Sequence, residues 1–140
     1  MGKAAPKSES DIILMAIAKE KETCAHLAAA ARMSTSPKAK RLYNQLALDE
    51  LKHLLSLVSL LDGLADDCLA NLDLTFPAVQ FPDPLPQSED HLLQSALAEE
   101  RQSQQLFTNL VEVAEREEIL AVLEILRAEE EDHLARLRSL

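Results

Sequence analysis

Glu-x-x-His occurs twice in the chain, as Glu50/His53 and Glu130/His133, with the copies 80 positions apart. Two further glutamates, Glu20 and Glu100, each stand 30 positions ahead of one copy and keep the same offset. A repeat of this length reads as two αα-hairpins. Each gives one Glu from its first helix and a Glu/His pair, one turn apart, from its second. Four carboxylates and two imidazoles pointing inward from four helices form the ligand set of a dinuclear metal site in a helical bundle.

The neighbours of these residues support that placement. Steps of three and four residues through Glu20 give Ile13, Ala16, Cys24, Leu27 and Ala31, an apolar stripe interrupted once. The second stripe runs Tyr43, Leu46, Glu50, His53, Leu57, Leu60, and the third Leu93, Ala96, Glu100, Ser103, Phe107, Leu110. The fourth is Ile119, Leu123, Leu126, Glu130, His133, Leu137, Leu140. Each helix therefore places a carboxylate in the middle of the face that should be core.

Four ionised carboxylates buried together are strongly unfavourable, because desolvation and mutual repulsion both oppose their charge. Divalent cations remove the problem. Hard carboxylate oxygens with two imidazoles and open positions suit Fe(II), with Mn(II) or a mixed pair as alternatives, whereas structural zinc favours closed thiolate and imidazole sets. Cys24 and Cys68 form no Cys-x-x-Cys pair and read as small apolar residues of a reduced cytoplasmic protein.

A single helical Glu is ordinarily a solvated surface residue; the register of two Glu-x-x-His elements with two stripe glutamates is what sets these four apart. His26, four after Glu22, reads as half of an exposed pair, and His91 falls in a first helical turn, so neither is expected to bind metal. Glu22, Glu99, Glu117, Glu118 and Glu131 read as a charged outer face. Tyr43, two turns before Glu50, is either core packing or a residue that supports the metal site.

The pattern predicts helices over about 9–33, 37–62, 88–114 and 117–138. Ser8 or Ser10 opens the first, Ser36 with Pro37 the second, and Ser88 followed by Glu89 and Asp90 the third. The turn near residue 115 contains no Gly or Pro and is inferred from the repeat alone. Residues 63–87, with Gly63, Pro77, Pro82, Pro84 and Pro86, cannot be continuous helix. Stretched out, about 25 residues reach up to about 80 Å, twice the ~37 Å of a 25-residue helix. The segment is therefore expected to be a crossover that leaves the second and third helices parallel, with a short helical turn near Leu64 to Leu72. Leu74, Phe76, Val79 and Phe81 are expected to cover the bundle's side.

The expected architecture is one all-α domain over 1–140, with a flexible N-terminus over 1–8. A content of 47% apolar and 3% aromatic residues suits Ala/Leu-rich helices better than a sheet. A net charge of -10 argues against nucleic acid. No apolar run approaches the ~20 residues of a membrane span. Met1 to Ser10 hold no apolar signal core, and Pro6 stands where N-myristoylation favours Ser or Thr, so a cytoplasmic location is expected.

On these motifs the chain resembles the ferritin-like superfamily, and within it the rubrerythrin-type and bacterioferritin-type di-iron carboxylate proteins, over nearly its whole length. The resemblance implies Glu20 and His53 as terminal ligands of one iron, Glu100 and His133 of the other, with Glu50 and Glu130 bridging. It also implies that the acid before each Glu-x-x-His bonds the histidine of the opposite helix, Asp49 to His133 and Glu129 to His53. Rubrerythrins add a rubredoxin module with Cys-x-x-Cys pairs and a further carboxylate one turn after the third-helix Glu. The chain has neither, with Ser103 at the latter position. An external electron donor is thereby implied, with a ligand set nearer the symmetric bacterioferritin type.

Two classes of function fit this reading. One is a di-iron oxidoreductase, of ferroxidase or peroxidase type, that reacts with O2 or peroxide. The other is a non-catalytic iron-sequestering protein, or a helical interaction module that retains a metal site. Leu51, Leu54, Leu55, Val58 and Leu61 put apolar residues on several faces of the second helix, and a homodimer is the expected assembly.

Overall fold

The computed structural model describes residues 8–61, 64, 72–73, 75–77, 79 and 88–140. Among them the chain is all-helical, without strands: α1 (Glu9–Met33), α2 (Pro37–Leu61), α3 (Glu89–Val113) and α4 (Glu117–Arg138). The bounds differ from the sequence expectation by at most one residue at any end.

Serine caps account for three helix starts. The side chains of Ser8 and Ser88 accept from the amides of Asp11 and His91, and acids fill both first turns. Ser36 accepts from the Ala39 amide, with Pro37 as the first residue of α2. A cap of this kind stabilises a helix by ~1 kcal/mol. Arg116, ahead of α4, makes no such bond. The turn inferred near 115 falls at Ala114–Arg116, and the amide of Glu115 donates to Glu9 at the start of α1, 3.1 Å away. At the opposite end Glu89 does the same for the first turn. Its carboxylate accepts from the amide of Thr35 at 2.7 Å, the amide of Ser36 at 3.3 Å and the hydroxyl of Ser34 at 2.8 Å.

These contacts fix the topology. Each hairpin is antiparallel, and α1 also runs antiparallel to α3, since Glu9 meets Glu115 while Thr35 meets Glu89. α2 runs antiparallel to α4, since Gln45 meets Arg136 while His53 meets Glu129. α2 and α3 are therefore parallel, and the chain between them joins opposite ends of the bundle.

The core is two apolar layers with a polar layer between them. One layer contains Ile13, Leu57, Leu61, Phe107, Leu110, Ile119 and Leu123, with Leu64 and Leu72 packed against it. The other contains Leu27, Ala31, Tyr43, Leu46, Ala96 and Leu137. Cys24, a free thiol, donates to the carbonyl of Ala47 in the second layer.

Of the connection, Phe76, Pro77 and Val79 line a groove with Cys24, Ala28 and Leu51, on the side formed by α1 and α2. Lys21 holds it by donating to the carbonyl of Asp73 at 2.6 Å. Gly63, Cys68, Leu74, Phe81, Pro82, Pro84, Pro86, the first seven residues and most of the expected turn between Leu64 and Leu72 lie outside the described residues. No described helix is long and apolar enough to cross a membrane.

Candidate metal centre

Glu20, Glu50, Glu100 and Glu130 are fully buried, and His53 and His133 nearly so. The polar layer brings all six together from four helices. Ligand atoms of Glu20, Glu50, His53 and Glu130 lie within 4.8 Å of one another, and so do those of Glu50, Glu100, Glu130 and His133. Glu50 and Glu130 belong to both groups.

Each imidazole turns Nδ1 inward. His53 Nδ1 lies 3.2 Å from Glu20, 3.3 Å from Glu50 and 3.1 Å from Glu130. His133 Nδ1 lies 2.9 Å from Glu50, 3.4 Å from Glu100 and 3.6 Å from Glu130. The outward nitrogens meet acids on the facing helix: His53 Nε2 bonds Glu129, and His133 Nε2 bonds Asp49 at 3.2 Å. A carboxylate accepts at Nε2, so that nitrogen carries a proton and Nδ1 is the one left to face the four glutamates, holding a proton there or giving it up to a cation. The two rings stack with centroids 5.7 Å apart.

The electrostatics of the metal-free layer call for positive charge. Oε2 of Glu50 and both oxygens of Glu100 and Glu130 are buried and make no hydrogen bond among the described residues. Burial, reinforced by Glu130, pushes the carboxyl of Glu100 up to about 8 against the pull of His133. Burial disfavours a charged imidazole, yet Glu130 and Glu50 outweigh it and raise His53 to about 11. His133 is raised to about 12 against the same penalty by Glu100, Glu130 and Glu50. Protons thus partly stand in for cations. Buried oxygens without hydrogen bonds among the described residues, a shared pair of glutamates and inward imidazole nitrogens fit two divalent ions.

Between α2 and α4 a groove of about 410 Å³ reaches His53 and His133, lined by Asp49, Glu129, Asp132, Val122 and Leu126 among others.

Two sequence expectations, on Glu99 and His26, need correction, and the open reading of Tyr43 narrows. Tyr43, read as core packing or as support for the metal site, is fully buried in an apolar layer, and its hydroxyl makes no hydrogen bond among the described residues, as core packing expects. Burial, with the Glu89 charge, raises its phenol to about 12. Glu99, read as outer face, is buried and pairs with buried Lys19 at 2.9 Å. His26, read as exposed, is half-buried, with Nε2 4.0 Å from Glu99. His91 is exposed and belongs to neither group.

Sequence reasoning also missed Lys19, Thr23 and the role of Ser103. Their signal was the repeat itself, because 19 and 99, 23 and 103, and the turn-holding 9 and 89 all share the offset of the glutamates. No family model, curated protein or solved structure matches the chain.

Proposed function

We propose that the chain is a ferritin-like di-iron carboxylate protein, a rubrerythrin-like oxidoreductase that binds two iron ions in its polar layer and reacts with O2 or peroxide. The observation that carries this reading is the sharing of Glu50 and Glu130 by two buried four-residue groups. Glu20 and His53 would complete one position and Glu100 and His133 the other. Manganese, alone or with iron, would fit the same donors.

Bound iron would supply one-electron couples at two adjacent centres. The chain's own residues supply the rest. Asp49 and Glu129 hold the Nε2 protons and so keep both Nδ1 atoms aimed at the metals. The apolar layers above and below exclude bulk water, and the groove between α2 and α4 admits the oxidant. Electrons for turnover come from an external donor. A homodimer is part of the proposal, with exposed Leu48, Leu55 and Ile125 as apolar surface for it.

The test is anaerobic loading with Fe(II), then O2 or hydrogen peroxide with a reductant in excess. Repeated oxidation and re-reduction by the wild-type chain, lost in Glu50→Ala, is the expected result. Stoichiometric binding without turnover would favour sequestration over catalysis.

A further inference from the structure

The repeat makes α1 and α3 counterparts, so the surroundings of Glu20 and Glu100 can be compared directly. Both oxygens of Glu20 are occupied: Ser103, from α3, donates to Oε1 at 3.0 Å, and His53 Nδ1 lies 3.2 Å from Oε2. Glu100 has the counterpart of the histidine contact, His133 Nδ1 3.4 Å from Oε1, but no hydroxyl donor and no hydrogen bond to either oxygen among the described residues. The counterpart of Ser103 is Thr23, one turn after Glu20. Thr23 is equally buried, yet its hydroxyl has no hydrogen-bond partner among the described residues. Ser103 thus ties Glu20 to the facing helix, and Thr23 makes no such tie to Glu100.

A hydrogen bond from Ser103 uses one lone pair of Oε1 and leaves another for a cation. A ligand already fixed in place loses little side-chain freedom when the ion arrives, whereas a glutamate without that tie must be ordered by the ion itself. Resting on the dinuclear reading above, we propose that Ser103 is a positioning residue that makes the two cation positions unequal, so that the position of Glu20, Glu50, His53 and Glu130 fills first. The entropy of ordering one long side chain corresponds to a difference of about tenfold in affinity.

Mn(II) titration of the full chain, with free ion read from its electron paramagnetic resonance signal, tests this without redox chemistry. Wild type should bind in two steps, the first about tenfold tighter. Glu20→Gln should remove the tight step and Glu100→Gln only the weak one. Ser103→Ala should weaken the tight step until the two merge, while Ser103→Thr, which keeps the hydroxyl, restores it. Thr23→Val should move neither step. Two equal steps in the wild type would overturn the proposal, as would an unchanged isotherm in Ser103→Ala or loss of the tight step in Glu100→Gln. Those results leave the dinuclear reading intact. Failure of the wild-type chain to take up any Mn(II) would sink both.

Discussion

Glu100 concentrates the conflict between fold and site: a fully buried carboxyl with no hydrogen bond to either oxygen among the described residues. Glu100→Gln keeps the shape and removes the group that must take up a proton to be buried. It should stabilise the metal-free chain by ~1 kcal/mol while abolishing uptake of the second ion. Thermal melts and metal analysis of the same preparation read both effects. The pH dependence has a definite sign. Glu100, His53 and His133 all titrate above their ordinary values in the native chain. The native state then holds protons that the unfolded state has released, so stability falls as pH rises. The fall begins above the ordinary 4.5 of a glutamate, deepens above the ordinary 6.5 of histidine, and ends only past about 12. Asp73 and Glu89, whose values are lowered, lose their contributions only on the acid side. The metal-free Tm should therefore drop between about pH 5 and pH 9, and bound cations, by replacing those protons, should flatten the drop. A flat metal-free profile would show that the six side chains do not share one buried layer.

Among the helices, pairing across the bundle is set by residues that share the repeat. Lys19 on α1 donates to Glu99 at 2.9 Å and Gln102 at 3.0 Å on α3. The pair is unlike in charge although the two positions are counterparts, so two identical first hairpins would bring like charges together. Lys19→Met alone should cost ~3–5 kcal/mol by leaving Glu99 buried with only His26, 4.0 Å away, beside it, and adding Glu99→Leu should recover most of that. Denaturant unfolding of the two single variants and the double variant checks the coupling. Here the limits of sequence reading are physical. The glutamates of the site and the apolar stripes through them were legible because a helix repeats every three to four residues. Glu99 was misread because its partner lies on another helix, and no local period encodes that distance. The turn at Ala114–Arg116 lacked turn residues for the same reason: it is held by Glu9, far away in sequence.

At the scale of the whole molecule, two apolar layers hold a strained polar layer between them. The fold and its ligands are therefore thermodynamically coupled. Two bound cations should raise Tm substantially, in proportion to their free concentration over Kd. Binding at neutral pH should also release protons from His53, His133 and Glu100. Calorimetry in buffers of different ionisation enthalpy measures that release. The length of the connection was legible as a crossover because Pro and Gly exclude a helix there, while its route along α1 and α2 depended on contacts of Lys21 and Phe76 that carry no sequence pattern.

The most direct test is an anomalous-scattering map from crystals grown with Fe(II) or Mn(II). Two peaks should appear between Glu50 and Glu130, about 3.5–4 Å apart, one beside His53 Nδ1 and the other beside His133 Nδ1. A bundle interior without peaks, in crystals soaked to saturation, would contradict the account.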